Sequence, residues 1–361
     1  MQDESKYQNV SLTNNNTNTN SKNNNQNAQN TKQVQMLFDE SASISTVPLI
    51  EKYRPKTLKD MVSHEDILAT INLFVEKKNI PHFLFHGPPG TGKTSCILAL
   101  ARMLYGENMR RMTQELNASD DRGINVVREK IKEFCNSGLL GVSNNSIKLV
   151  ILDEADMMTT AAQNALRRII EKFTKNVRFC IICNDVSKII PAIQSRCMKF
   201  RFSPLGKNQC AERVRNICEN EKIEIDEETI AKIIEIGKGD MRKILNILES
   251  THMSFGKVNI ENVFSSTGLP SDSQVDFIME TILNNEFNYA LKTLNKFRID
   301  NGFSMTDIMN MLLKRLRKMN LNQEKFIEIC ILFKKIDYLC MLAGNEMILL
   351  SQIISVINLI K

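Results

Sequence analysis

The residues best suited to chemistry are Lys93 and Thr94, at the end of the run Gly87-Pro88-Pro89-Gly90-Thr91-Gly92-Lys93-Thr94. This run fits the G-x-x-x-x-G-K-[ST] pattern at every position and follows a short apolar stretch. In such a loop the backbone N–H groups point at phosphate oxygens, the lysine reaches the β- and γ-phosphates, and the hydroxyl ligates Mg²⁺. A simple Gly/Pro turn would explain the glycines but not the Lys-Thr pair. The sequence therefore predicts a phosphate-binding loop.

Polar side chains follow two further apolar stretches. Asp153 and Glu154 come directly after Val150-Ile151-Leu152, and Asn184 ends the run 177–184. Ligands of α/β sheets bind at the carboxyl ends of the strands. We therefore expect Asp153 to hold Mg²⁺ and Glu154 to orient or deprotonate the attacking water. An amide at Asn184 could orient that water or sense the γ-phosphate, although Asn is also a common turn residue.

Two rival interpretations of these residues are not favoured. Asp153-Glu154-Ala155-Asp156 spells the signature of DEAD-box helicases, but no Ser-Ala-Thr motif follows it and the chain beyond residue 205 has a helical pattern. Cys180 and Cys183 form a C-x-x-C pair that could bind zinc, but no second such pair accompanies them. The odd number of nine cysteines favours reduced thiols over a disulfide framework.

Composition and charge are those of an ordinary globular protein. The 361 residues are 42% hydrophobic and 24% charged, which is enough for two or three domains. No apolar run approaches the roughly 18 to 20 residues of a membrane span, so we expect a soluble intracellular protein. The net charge is +6, and the first 46 residues hold three basic and four acidic side chains, which leaves +7 for the rest. This excess is compatible with nucleic-acid binding.

Short apolar stretches alternate with amphipathic ones between about residues 80 and 202. This pattern predicts a parallel sheet covered by helices on both faces. The predicted strands are 83–86, 113–117, 148–153, 178–183 and 197–202. The predicted helices begin near Lys93, Gly123, Thr159 and Ser187.

Four regions follow from these patterns. Residues 1–46 are rich in asparagine and are predicted to be disordered. Residues 47–204 are predicted to form the α/β core. Their first part, around Tyr53, Arg54 and Pro55 and just upstream of the nucleotide loop, is predicted to be a strap across the base. Residues 205–264 are predicted to be a small helical unit. Residues 265–361 are predicted to be an all-helical region that packs against partners.

Taken together, these motifs resemble those of the AAA+ ATPases, and specifically the small subunits of replication factor C, the eukaryotic clamp loader. The resemblance covers residues 50 to about 250 and is looser beyond 265. It implies a P-loop NTPase core with a five-stranded parallel sheet, a helical lid and an all-helical C-terminal collar that holds a ring together. The landmarks are Glu51 to Pro55, Gly87 to Thr94, Leu116 to Gly123, Asp153 to Asp156, Ala162 to Arg168, Ser195-Arg196-Cys197 and Gly239 to Arg242.

The resemblance also implies a role for individual residues. Tyr53 and Arg54 would contact ATP from the strap, with Asn184 as sensor 1 and Arg242 as sensor 2. Arg196 would be an arginine finger that acts in the ATP site of the neighbouring subunit. Asp185 departs from the family pattern, because relatives usually carry an aromatic residue there. The implied cofactors are ATP and Mg²⁺.

The implied partners are the other replication factor C subunits in a hetero-pentamer, the sliding clamp PCNA and primer-template DNA, in the nucleus. Arg122, Arg128, Arg167 and Arg168 are candidates for sequence-independent contacts with DNA phosphates. Ordinary solvated helix faces are the alternative for each of them. Two other functions stay open at this point: another AAA+ machine, such as a branch-migration helicase or a protein remodeller, and a catalytically idle subunit that binds ATP and donates a finger.

Overall fold

The computed structural model describes residues 47–61, 63–77, 79–119, 124–136, 147–319, 322–342 and 345–359, and for residues 124–128 it describes the backbone alone. The predicted Asn-rich tail, residues 1–46, therefore lies outside the described residues. The elements named below all belong to one structural unit, which begins at Leu49.

Five parallel strands form a sheet in the order β2-β3-β4-β1-β5. They are β1 (Phe83–His86), β2 (Thr113–Asn117), β3 (Lys148–Asp153), β4 (Val177–Cys183) and β5 (Met198–Arg201). Strands β3 and β4 lie inside the sheet and are buried along almost their whole length, which explains their continuous apolar sequences. The predicted parallel sheet is confirmed. Its bounds differ from the predicted ones only in β4, which begins one residue earlier, and in β5, which is one residue shorter at each end.

Sixteen α-helices occur among the described residues. They are α1 (Leu49–Lys52), α2 (Glu65–Glu76), α3 (Lys93–Tyr105), α4 (Met109–Met112), α5 (Ile124–Asn136), α6 (Thr160–Phe173), α7 (Pro191–Gln194), α8 (Lys207–Glu221), α9 (Glu227–Gly237), α10 (Met241–Phe255), α11 (Ile260–Thr267), α12 (Asp272–Asn284), α13 (Phe287–Asn301), α14 (Met305–Lys318), α15 (Gln323–Met341) and α16 (Glu346–Asn358). Short 3₁₀ turns cover Leu58–Asp60, Gly106–Asn108, Ala155–Met157 and Val186–Lys188.

The sheet is covered on both faces, as its alternating side chains require. Phe83 and Phe85 of β1 pack with Ile97 of α3 on one face. Leu84, between them, belongs to the cluster on the other face together with Leu166 of α6. The same alternation separates Cys180 from Cys183, since each belongs to a different cluster. The two thiols therefore cannot ligate one metal ion.

The helix predicted near Ser187 is wrong. The structure has a 3₁₀ turn at Val186–Lys188, an extended Ile190, and then the single-turn helix α7, which begins at Pro191. Proline disfavours the helical conformation in the residue before it and has no N–H group to continue a helix through, but it suits the first position of a new one. A continuous helix is therefore not formed through this segment.

Helices α8 to α11 enclose a separate hydrophobic cluster, which also contains Leu49 of α1. These helices agree with the helical unit predicted for this part of the chain. The predicted boundary between residues 264 and 265 falls inside α11, which ends at Thr267 and is capped by Gly268, a glycine in the left-handed conformation. A domain boundary that does not cut through a helix would lie after Gly268. Helices α12 to α16 surround a further cluster, with Leu312, Phe333 and Ile354 among its most buried members.

His82 holds the first strand against its neighbours. Its Nδ1 accepts a hydrogen bond from the Phe179 N–H at 3.1 Å, and its backbone oxygen accepts one from the Met198 N–H at 2.8 Å. The ring Nε2 is buried and has no hydrogen-bond partner. Burial, together with the nearby charge of Arg178, lowers the pKa of His82 to about 4.

This shift predicts acid sensitivity of the fold. Between about pH 6.5 and pH 4 the unfolded chain binds a proton at His82 that the folded chain does not, so stability falls as the pH is lowered, by up to about 3 kcal/mol. His82→Asn removes the titrating group while an amide oxygen can still accept from the Phe179 N–H. In urea unfolding followed by circular dichroism, the stability difference between wild type and variant should shrink as the pH falls through this range. Parallel curves would contradict the assignment.

Candidate functional site

A cavity of about 420 Å³ lies at the carboxyl edge of the sheet. The loop after β1, the ends of β2, β3 and β4, the segment 50–64 and the helices α8 and α10 all contribute to its lining. Residues 89–94 of the predicted phosphate loop line the cavity, whereas Gly87 and Pro88 do not. The predicted residues Tyr53, Arg54, Asp153, Glu154, Asn184 and Arg242 also line it.

The loop is held in place by close backbone contacts and by Lys93. A Cβ atom on Gly87 would lie 2.0 Å from the backbone oxygen of Phe202, so only glycine fits there. The Lys93 ammonium donates hydrogen bonds to the Gly87 and Pro88 oxygens at 2.7 and 2.8 Å, and to Asn184 Oδ1 at 3.0 Å. Burial lowers the pKa of Lys93, while the Asp153 charge acts in the opposite direction. These contacts place sensor candidate Asn184 against the loop.

The acidic residues after β3 suit a hydrated Mg²⁺ ion. The Thr94 hydroxyl donates to Asp153 Oδ2 at 2.7 Å, and Asp153 Oδ1 accepts from the Glu154 N–H at 2.9 Å. Asp156 Oδ1 is buried without a hydrogen-bond partner. Hydroxyl and carboxylate oxygens are the ligands that Mg²⁺ prefers. Since no group of three or more His, Cys, Asp or Glu side chains in the described part of the chain could hold a metal, the phosphates and water would complete such a site.

Glu154 adopts a left-handed backbone conformation, with φ 53° and ψ 37°. This conformation is unfavourable for residues other than glycine and is often retained at functional sites. It turns the chain sharply at the end of β3, directly after Asp153. The two carboxylates can therefore serve different purposes although they are adjacent in sequence.

The Asp185 carboxylate is engaged locally. It accepts hydrogen bonds from the Ser187 N–H at 2.9 Å and from the Ser187 hydroxyl at 2.7 Å, and so caps the 3₁₀ turn that follows. These bonds hold its pKa below the usual value. Asp185 does not line the cavity, whereas Asn184 does.

The segment around Tyr53 and Arg54, predicted to be a strap, lines the cavity and is attached to helix α8. The Tyr53 hydroxyl donates to Glu221 of α8, whose carboxylate also pairs with Lys52 at 2.7 Å. Arg213 donates to the Tyr53 backbone oxygen at 3.0 Å. Burial and the contact with Glu221 raise the pKa of Tyr53 to about 12. The Tyr53 hydroxyl is therefore engaged by Glu221 within the chain.

The phosphate loop also contacts the start of helix α10. Asp240 caps this helix by accepting from the Arg242 N–H at 2.9 Å, and the Met241 N–H donates to the Gly90 oxygen at 3.3 Å. A Cβ atom on Gly90 would lie 1.7 Å from Asp240 Oδ1. Sequence reasoning assigned no role to Asp240, although an Asp directly before a helix is a recognisable capping signal. It also missed Asn117, Glu221 and Arg213.

Arg196 does not line the cavity of its own chain. Its side chain is 36% exposed and pairs with Glu171 at 2.6 Å. Among the candidates for DNA contact, Arg167 pairs with the same Glu171 at 3.0 Å, and Arg168 is exposed. Arg122 lies outside the described residues, as does the side chain of Arg128.

Comparison with known proteins identifies the family. A model of the ATPase family associated with various cellular activities matches residues 83–205, and a model of the replication factor C C-terminal domain matches residues 270–356. Replication factor C subunit 3 of Schizosaccharomyces pombe is 44% identical over 88% of this chain and 92% of its own length. Replication factor C subunit 5 of Homo sapiens is 44% identical over 87% of this chain and 92% of its own length. The chain belongs to the replication factor C subunit family.

The fold agrees with this assignment. The RuvB Holliday junction branch migration motor of Thermotoga maritima matches with a TM-score of 0.50 and 15% identity, over 75% of this chain and 93% of that one. At this identity the likeness concerns the fold alone. The predicted resemblance to replication factor C and the predicted fold class, an AAA+ core followed by helical regions, are both confirmed. Membership of this ATPase family supports nucleotide binding by the chain. Within the described residues no helix is long and apolar enough to cross a bilayer.

The contact between Gly90 and Asp240 predicts a specific sensitivity. Gly90→Ala should push the start of α10 away from the loop and weaken nucleotide binding by about tenfold or more, because Arg242 and the phosphate loop would no longer be held together. Titration with a fluorescent ATP analogue measures this. The matched control is Gly268→Ala, because Gly268 has a similar left-handed conformation (φ +64° against +69°) but an added Cβ atom there meets no neighbouring atom within 4 Å. Equal affinities of the two variants would show that the contact is dispensable.

Proposed function

We propose that this chain is an ATP-binding and ATP-hydrolysing small subunit of the replication factor C clamp loader, which opens the sliding clamp PCNA and loads it at primer-template junctions. The observation that carries the proposal is the complete set of nucleotide residues, Lys93, Thr94, Asp153, Glu154 and Asn184, in a chain 44% identical to replication factor C subunits. Relatives with this name belong to the replication machinery, so the proposed location is the nucleus.

ATP would lie with its triphosphate along the loop after β1. Lys93 would exchange its carbonyl acceptors for phosphate oxygens, and Thr94 and Asp153 would hold Mg²⁺, which neutralises charge on the phosphates. Glu154 would orient or deprotonate the attacking water, with Asn184 placed to sense the γ-phosphate. Tyr53, Arg54 and Arg242 would complete the pocket from the strap and the lid. The binding of ATP would thus draw the sheet and the lid together.

Arg196 would act in trans, in the ATP site of the next subunit of a hetero-pentamer. Its exposure and its absence from its own cavity support this role. Helix α15 supports assembly as well, because Ile327, Ile331 and Tyr338 on it are each more than half exposed. Large exposed apolar side chains of this kind mark contacts between proteins. The proposed division into a core (47–204), a lid (205–264, with its end better placed after Gly268) and a collar is consistent with such a ring.

DNA and the clamp would stimulate hydrolysis by favouring one arrangement of the ring, and hydrolysis would then release both ligands. Primer-template DNA would be held through its phosphates, without regard to sequence, by basic residues of α5 and α6 such as Arg167 and Arg168. A branch-migration role is not favoured, because the similarity to RuvB is limited to the fold. The intact pair Asp153 and Glu154 argues against a catalytically idle subunit.

The arginine finger is tested with Arg196→Ala in the chain assembled with its partner subunits. The adjacent ATP site should lose on the order of 10³-fold in rate, because a positive charge no longer stabilises the transferring phosphoryl group. DNA-stimulated ATP turnover of the assembly should therefore fall by that site's share, while binding of ATP to the variant chain itself stays as in wild type. Lys93→Ala should instead weaken the binding of ATP to the variant chain itself. Unchanged turnover in the Arg196 variant would remove the finger assignment.

A further inference from the structure

Three charged side chains form a small network outside the nucleotide cavity. Arg167 and Glu171 lie one turn apart on α6, and Arg196 follows the short helix α7. Arg167 Nε donates to Glu171 Oε1 at 3.0 Å, and an Arg196 terminal nitrogen lies 2.6 Å from the same oxygen. One carboxylate oxygen therefore serves two guanidinium groups. These contacts hold the pKa of Glu171 below its usual value, chiefly through the Arg167 hydrogen bond, so the group is anionic.

The orientation of Arg196 is fixed from two sides. One terminal nitrogen donates to the backbone oxygen of Ala192 at 2.7 Å, and the other lies against Glu171. A guanidinium group has five N–H donors. Two are engaged here, so three remain for a ligand. Because arginine otherwise samples many rotamers, two anchors of this kind pre-organise the group that a phosphate would meet.

We propose that Glu171 is a positioning residue for the Arg196 finger and that Arg167 regulates how strongly Glu171 binds Arg196. Arg167 and Arg196 compete electrostatically for Glu171 Oε1, so each weakens the other's contact. An anion that draws Arg167 away, such as a phosphate of the DNA backbone, leaves the whole carboxylate to Arg196. The network then links a DNA-facing surface of α6 to hydrolysis in the neighbouring subunit. This inference rests on the proposed function, since it needs Arg196 to act in trans.

The size of the effect follows from the exposure of the groups. Side chains of Glu171 and Arg196 are 39% and 36% exposed, so their pairing is screened by water. Exposed pairs of this kind change an equilibrium by about twofold to fivefold. Glu171 would therefore modulate the finger, whereas loss of Arg196 itself would abolish its contribution.

The first test uses Glu171→Gln in the assembled complex. The amide keeps the size of the side chain but removes its charge, so DNA-stimulated ATP turnover should fall by about twofold to fivefold at the site that Arg196 completes. The control is Glu227→Gln on α9, which removes the charge of an exposed carboxylate that also pairs with an arginine, Arg215, at 2.6 Å. Turnover of this control should equal that of wild type. A Glu171 variant that matches the control overturns the proposal.

A double-mutant cycle separates positioning from a general structural effect. In an Arg196→Ala background, Glu171→Gln should have no further effect on turnover, because its only route to the reaction is gone. A further loss of similar size overturns the positioning role. If Arg196→Ala alone leaves turnover unchanged, the proposed function fails at the finger. If Arg196→Ala lowers turnover but Glu171→Gln does not, the finger stands and only this inference fails.

The second test addresses the competition. In the absence of DNA, Arg167→Ala should raise turnover of the assembly by about twofold, since Glu171 is then left to Arg196 alone. Lys172→Ala removes a positive charge from the next position after Glu171 without an ion pair to it, and should leave DNA-free turnover unchanged. An Arg167 variant with unchanged or reduced DNA-free turnover overturns the regulatory part of the proposal.

Discussion

The candidate nucleotide site depends on the burial of one ammonium group. Lys93 is only 7% exposed, and a buried charge without partners would cost several kcal/mol. Three oxygen atoms surround its Nζ, two from the loop after β1 and one from Asn184 at the end of β4. These partners can meet because β1 and β4 are neighbours in the sheet. A phosphate oxygen is a stronger, charge-assisted acceptor than a carbonyl, so an entering nucleotide can take over the same donor with little rearrangement of the loop.

The elements of the fold could be predicted from the sequence where burial leaves a local signal. Strands β3 and β4 are buried on both faces and are therefore continuous apolar runs, and the phosphate loop has a pattern that few other structures share. The helix expected near Ser187 was wrong because the apolar positions Ile189, Ile190 and Ile193 suggest a helix that Pro191 interrupts. A pattern of apolar residues thus predicts which residues are buried more reliably than it predicts the backbone between them.

The contacts that join separate parts of the site left no such signal. The Tyr53 hydroxyl meets Glu221, 168 positions away, and the start of α10 meets Gly90. Neither pair could be found from spacing, because each depends on how α8 and α10 lie against the sheet. Asp185 shows the opposite case. Its carboxylate accepts hydrogen bonds from Ser187, two residues later, and this local pattern is common for Asp before a turn.

The same distinction separates the cavity from the contacts that hold Arg196. The cavity is lined by the loop, the strap and α10, which are attached to other parts of the same chain, so its geometry follows from the fold. Arg196 is held by Ala192 and by the exposed Glu171 instead, and neither of these touches the cavity. A change in the ionic surroundings of α6 can therefore alter the position of the Arg196 side chain without disturbing the cavity of the same chain. Under the proposed function, this separation lets DNA act on hydrolysis in one interface of the ring while each subunit keeps its own ATP.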